Sequence, residues 1–155
     1  MTGFLKALDN NDRSSAIVLA FQSRSVIALE RGLIQRVFRK VGPQSADVRC
    51  IYVYAGRPRC GLVGRLPVLK IERLALPACL SISEQGGLAA EELKRYAGGR
   101  DSLFSFTVGL YERAIPVLDL AYLKLHYGFY PPQNFMVLSK NGVSAIESSC
   151  VFNSA

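Results

Sequence analysis

The 155-residue chain has no tryptophan, one histidine (His126) and four cysteines, Cys50, Cys60, Cys79 and Cys150, none of them in a C-x-x-C pair. A structural zinc site takes four soft ligands, usually in close pairs. No metal or cofactor is therefore expected, and the cysteines read as reduced thiols spread over strands and loops. Long apolar runs are missing too. Half of the residues (50%) are hydrophobic, yet no run approaches the roughly 18 residues of a membrane span. The first twelve residues include Asp9 and Asp12 and no long apolar stretch, so they do not read as a secretion signal. A cytoplasmic protein without a membrane partner is the expectation. What the chain does have is 8 Phe and 7 Tyr, enough apolar material for one compact domain, and a net charge of +7.

That charge is unevenly placed. Between residues 31 and 73 there are ten cations (Arg31, Arg36, Arg39, Lys40, Arg49, Arg57, Arg59, Arg65, Lys70 and Arg73) against Asp47 and Glu72, a local excess of +8. A basic block inside a folding segment, unlike a basic tail, suggests a face or cleft of positive potential suited to nucleic acid or another polyanion. The competing reading is a solvated basic surface.

Residues 1–15 are polar and aperiodic and read as a flexible arm. Ala16–Phe21 is a buried strand. Ser23 is placed to cap a helix whose apolar positions are Val26, Leu29 and Leu33 and which ends near Gly32. A second strand runs from Gln35 to Val41. A third, Arg49–Ala55, alternates Ile51, Val53 and Ala55 with Tyr52 and Tyr54. Gly56-Arg57-Pro58 is a turn, and Cys60 to Leu74 is a long strand with Pro67 marking a bulge or edge. Leu88–Ala97 reads as a helix ended by Gly98. Ser102–Ile115 is one strand, Pro116 opens a short helix, and Tyr127–Leu138 is extended and closes the sheet. Residues 139–155 are a Ser-rich tail. These elements make an α+β domain over residues 16–138, a small barrel-like mixed sheet with two or three peripheral helices.

Five segments in this order carry a family resemblance: Gly32-Leu33-Ile34-Gln35-Arg36-Val37-Phe38-Arg39-Lys40 after the strand–helix unit, Ile51-Tyr52-Val53-Tyr54-Ala55-Gly56-Arg57-Pro58, Leu62-Val63-Gly64, Tyr96-Ala97-Gly98-Gly99 and Pro131-Pro132-Gln133-Asn134-Phe135. The chain resembles the ASCH family of the PUA-like group, whose members carry G-x-K-x-x-E-x-R at the first segment. The resemblance implies a PUA-like fold and recognition of nucleic acid or nucleoside in a cleft beside that segment. Some members look like RNA-binding regulatory modules, some are amidohydrolases of acetylated cytidine, and ribonuclease activity is attributed to others. Here Gly32 and Arg39 match the motif, whereas Ile34 and Val37 stand at its Lys and Glu positions.

Neither aliphatic side chain can move a proton, so the inherited amidohydrolase pair is missing. A base would have to come from elsewhere, and Glu30, Asp47, Glu72, Asp101 and Glu112 are not distinguished by spacing. Cleavage of RNA asks less, since its 2′-hydroxyl is an internal nucleophile, and His126 is one conceivable acid or base. Catalytic residues remain unassigned. Binding asks least. Arginine matches phosphate with a planar fork and stacks on bases, and Tyr52, Tyr54 and Tyr96 offer stacking faces. Arg36 and Arg39 point to opposite faces of a strand. The motif favours Arg39 for the cleft and sends Lys40 with Arg36. Arg57 and Arg59 bracket an exposed turn, Arg65 adjoins Gly64, and Arg100 either meets ligand or pairs with Asp101. The candidate nucleic-acid contacts are thus Arg36, Arg39, Lys40, Arg57, Arg59, Arg65, Tyr96 and Arg100. The leading expectation is an RNA-binding or single-strand-binding regulatory domain. The alternatives are a ribonuclease or amidohydrolase, and a protein-interaction module with an acidic partner.

Overall fold

A computed structural model describes residues 13–44 and 47–154. Most of the expected arm, residues 1–12, lies outside the described residues. The first strand nevertheless begins before Ala16: β1 spans Arg13–Phe21. It is followed by α1 (Ser23–Glu30), β2 (Arg36–Arg39), β3 (Cys50–Ala55) and the 15-residue β4 (Gly61–Ala75). Then come α2 (Leu76–Ser81), a single 3₁₀ turn (Ser83–Gly86), α3 (Ala90–Ala97), β5 (Ser102–Val108) and β6 (Glu112–Asp119). The described chain ends with α4 (Leu120–Tyr127), β7 (Met136–Ser139), α5 (Lys140–Ser149) and β8 (Val151–Ser154).

The strands form one mixed sheet in the order β2-β5-β4-β3-β1-β7, with β6 joining β4 to β8. Among the described strands only β1 and β3 pair in parallel. The length of β4 makes the barrel-like shape. Its first part lies between β3 and β6, and its second part, after a register shift between Val68 and Lys70, pairs with β5. Pro67 sits beside that shift, as its missing N–H requires, and its carbonyl accepts the Gly109 amide hydrogen at 2.9 Å.

The alternation in β3 reads directly onto two cores. Ile51, Val53 and Ala55 join Ile17, Leu19 and Phe21 of β1 on one face. Tyr52 and Tyr54 join Ala16 and Val18 on the other, where Leu123 of α4 and Ile146 of α5 cover them. Both faces are therefore buried, and the strand reads as continuously apolar. A third cluster packs Phe38 of β2 and Leu103 of β5 against Leu93 and Ala97 of α3 and Cys79 of α2. At Gly64 a Cβ would stand 2.4 Å from the Tyr111 ring. Glycine there lets Tyr111 pack flat and donate its hydroxyl hydrogen to the Val63 carbonyl at 3.0 Å.

Several sequence expectations change. Among the described residues there are five α-helices, not two or three. Ser23 is the first helical residue and Gln22 the cap, without a side-chain bond, while Leu33 lies beyond the helix and is 59% exposed. The run from Ser102 to Ile115 is two strand segments interrupted at residues 109–111, both antiparallel to β4 and paired with successive parts of it. Pro116 lies within β6 after a cis peptide bond, and the next helix is capped by Asp119, whose Oδ1 accepts the Tyr122 amide hydrogen at 2.7 Å. The supposed tail is folded. Ser139 caps α5 by accepting from the Gly142 amide at 2.9 Å, and β8 pairs with β6. No helix among the described residues is long and apolar enough to cross a membrane.

Candidate nucleic-acid interface

A cleft of about 390 Å³ opens where the end of β1, the start of α1, β2 and α3 meet. Its base holds Ile34 and Val37, which are 9% and 5% exposed and belong to the main core. The two positions where the motif would place Lys and Glu thus supply an apolar floor. The polar content comes from Arg39, Lys40, Tyr96, Gln133 and Asn134, with Arg24 and Glu92 at the rim.

Arg39 closes β2 on the Phe21 side of the sheet. Its Nη2 donates to the Ala20 carbonyl at 2.9 Å, and its guanidinium carbon lies 4.7 Å from the centre of the Phe21 ring. Burial lowers the Arg39 pKa from its ordinary value, partly offset by the neighbouring Tyr96 hydroxyl. An arginine so placed stays charged. Beyond the end of β2 the strand alternation no longer binds Lys40, which turns to the cleft. Its amide hydrogen goes to the Tyr96 hydroxyl at 3.1 Å and its ammonium lies 4.9 Å from the centre of that ring. Neither cation has an ion pair among the described residues. Glu92 is the one carboxylate on the cleft wall among the described residues. Hydrogen bonds from Arg24 and from the Ala89 amide hold it below the usual carboxylate range.

The structure divides the expected contacts. Arg39, Lys40 and Tyr96 meet in the cleft. Arg36 borders it, but its guanidinium faces the other way, as strand alternation demands. It donates to Gln85 Oε1 (2.7 Å), Ser105 Oγ (3.0 Å) and Glu72 Oε2 (3.4 Å). Arg59 ties the β3–β4 turn to α1 through two bonds of 3.1 Å to Glu30. Arg65 bridges Glu112 at 2.8 Å and Glu147 at 2.8 and 2.9 Å, and stacks on Phe152. It lies on the α5 side of the sheet, away from the cleft. Arg57 and Arg100 are exposed and line no part of the cleft, and Arg100 makes no ion pair with Asp101.

Tyr52 and Tyr54 offer no stacking surface, being 2% and 3% exposed. Tyr52 donates to Glu147 Oε2 at 2.5 Å, and burial raises its pKa. His126 lies on exposed α4, its ring 4.3 Å from that of Tyr122. Of the acids weighed as bases, Glu30, Glu72 and Glu112 are each held by an arginine outside the cleft, and Asp47 faces Arg49 at 3.3 Å. Gln133 and Asn134 were visible as a motif without an assigned role. Arg24 carried no sequence signal for the rim.

No family model matches the sequence, and no curated protein matches it significantly. Solved structures do. A serine-to-alanine variant of an ASCH protein from Zymomonas mobilis superposes with a TM-score of 0.82 at 22% identity, covering 90% of this chain and 99% of that one. The chain has an ASCH-domain fold. The Zymomonas mobilis ASCH structure without that substitution aligns with a TM-score of 0.77 at 20% identity, covering 88% and 96% of the two chains. The N-terminal domain of McrB from Staphylothermus marinus is a more distant neighbour, at 0.54 and 9% identity over 92% and 98%. Within the ASCH fold, the cleft sits beside the Gly32–Arg39 segment.

Proposed function

We propose that this ASCH-fold protein is a regulatory module that binds single-stranded nucleic acid, RNA foremost, in the cleft between β2 and α3. One observation carries the reading. Arg39, over the Phe21 ring, and Lys40, over the Tyr96 ring, line one cleft above an apolar floor, and neither has a carboxylate partner among the described residues. Cations with no carboxylate to neutralise them keep their charge for phosphate, Arg39 has donors beyond the one given to the Ala20 carbonyl, and the floor accepts a base or sugar face. Arg36, Arg59 and Arg65 hold the fold together instead. Of the basic block, Arg39 and Lys40 therefore supply the cleft with its cations without carboxylate partners.

The enzymatic reading is weaker on the same geometry. The cleft's carboxylate is bound to Arg24 at the rim, and His126 is elsewhere. The test is a titration of fluorescent single-stranded RNA at two salt concentrations, with strand integrity scored on a gel. Salt-sensitive binding of intact RNA that Arg39→Ala weakens at least about tenfold supports the reading, since phosphate contacts release counterions. Shortened RNA moves the protein to the ribonucleases. Binding that ignores both salt and Arg39→Ala overturns the proposal.

A further inference from the structure

We infer that the cleft is one end of a longer groove built for a polynucleotide strand, so that the ligand is a polymer and not a free nucleoside. This rests on the single-strand reading above. Two more clefts, of about 490 and 800 Å³, follow the β1–β7 edge. Each adjoins the next through shared lining residues. Gln133 and Asn134 line both the Arg39 cleft and the middle one, and Arg13, Phe135 and Val137 line both the middle and the far one. Both ends have an apolar lining: Phe21, Ile34 and Val37 in the first cleft, and Val48, Phe135 and Val137 in the far one.

β1 gives the length. Its Ala20 carbonyl holds Arg39 at one end, and Arg13 stands at the other, seven residues away. At about 3.3 Å per residue that is roughly 23 Å. A strand stacked at about 3.4 Å per nucleotide would place about seven nucleotides along it, and an extended one fewer. Each end is cationic. At the far end Arg13 faces Ser139 in the β1–β7 ladder, so Lys140 is its neighbour, and neither has an ion pair among the described residues. The far cleft also contains Asp47, which faces Arg49.

Between the charged ends stands Tyr130, 66% exposed, with the Lys124 ammonium 5.8 Å from its ring centre. An exposed aromatic face beside a cation suits one base and its phosphate, and such stacking tolerates any base. Pro131 and Pro132 follow it and stiffen the segment. Gln133 and Asn134 add amide groups able to read base edges where the middle cleft meets the first.

The experiment measures fluorescence anisotropy with labelled single-stranded RNAs of about two and about eight nucleotides, lengths on either side of the smallest site sizes of small binding folds. The longer strand is expected to bind the unaltered protein at least about tenfold more tightly. Tyr130→Ala and Lys140→Ala, both changes of exposed side chains, should each weaken the longer strand about fivefold or more and leave the dinucleotide unchanged. Arg39→Ala should weaken both. Equal affinity for the two lengths, with Arg39 needed and Tyr130→Ala silent, overturns the groove and leaves the cleft reading standing. A duplex that competes as well as the single strand also overturns it. Binding of neither RNA in an Arg39-dependent way removes both proposals together.

Discussion

Tyr96 engages Lys40 twice: its hydroxyl accepts the Lys40 amide hydrogen at 3.1 Å, and its ring carries the Lys40 ammonium at 4.9 Å. The first contact fixes the backbone where β2 ends, and the second fixes the charge above the cleft. Tyr96→Phe keeps the ring and removes the acceptor. Its expected cost is about 1 kcal/mol in urea unfolding, the usual worth of one hydrogen bond, with a small loss of RNA affinity. Tyr96→Ala removes both contacts and should lower RNA affinity well beyond the phenylalanine variant. Equal affinities for the two variants would show that the ring does not position Lys40.

Arg39 offers a sharper test through salt. Removing one cation that neutralises a phosphate of a single strand reduces the slope of log affinity against log salt by about 0.7. Arg39→Ala should show that reduction, measured from about 0.05 to 0.2 M salt. Arg39→Lys keeps the charge but not the fork that reaches the Ala20 carbonyl and the Phe21 ring. It should retain most of the salt slope while binding more weakly than the unaltered protein. A lysine variant indistinguishable from it would show that charge alone matters at this position.

How far the sequence revealed these features follows from how local each one is. β1, β3 and the Gly32 stop after α1 were legible because burial pattern and a positive φ of 71° are local demands. Arg39 was legible through its motif position, and its opposition to Arg36 through the two-residue period of a strand. Lys40 was misdirected because that period stops at Arg39. α5 was hidden because Lys140–Ser149 has Gly142 in its first turn and three serines, a weak helix former on propensity. Tertiary contacts compensate: the Ser139 cap, burial of Ile146, and the grip of Tyr52 and Arg65 on Glu147. Pro116 resembled a helix start because its place in β6 depends on pairing with strands distant in sequence. The fate of the basic block was the least legible, since each arginine's partner is decided by long-range packing.

Alkaline pH should destabilise the fold. Burial pushes the Cys50 thiol up to about 12, the Cys150 thiol to about 11 and the Tyr111 hydroxyl to about 12. In the unfolded chain, thiols ionise near about 8.5 and tyrosine near about 10. Above those values the unfolded state has released protons that the folded state retains, so stability falls as pH rises. The contribution is intact below about pH 8.5 and is lost progressively towards about pH 11 to 12. Thermal unfolding followed from pH 7.5 to 11 should show a steady fall in Tm over the upper part of that range. A flat profile would mean that these groups are more accessible to solvent than their packing indicates. Alkylation of the native protein near neutral pH should accordingly leave Cys50 and Cys150 unmodified, since the thiolate is the reactive form.

Arg65 separates the two roles that the basic block could serve. It joins Glu112 of β6 to Glu147 of α5 and stacks on Phe152 of β8, with only 26% of its side chain exposed. Arg65→Ala leaves both carboxylates without their shared cation and deprives α5 and β8 of a common anchor. Because the pair geometry is hydrogen-bonded and half-buried, the expected loss is about 1–3 kcal/mol in urea unfolding. Amide exchange should rise first in α5 and β8. RNA affinity should stay within about twofold of the unaltered protein under native conditions, because the side chain lies away from the Arg39 cleft. Loss of RNA binding with unchanged stability would instead place a ligand contact on the α5 side of the sheet. Glu147→Gln provides the complementary measurement: it keeps an acceptor for the Tyr52 hydroxyl and removes one charge from Arg65. It should therefore cost less stability than Arg65→Ala.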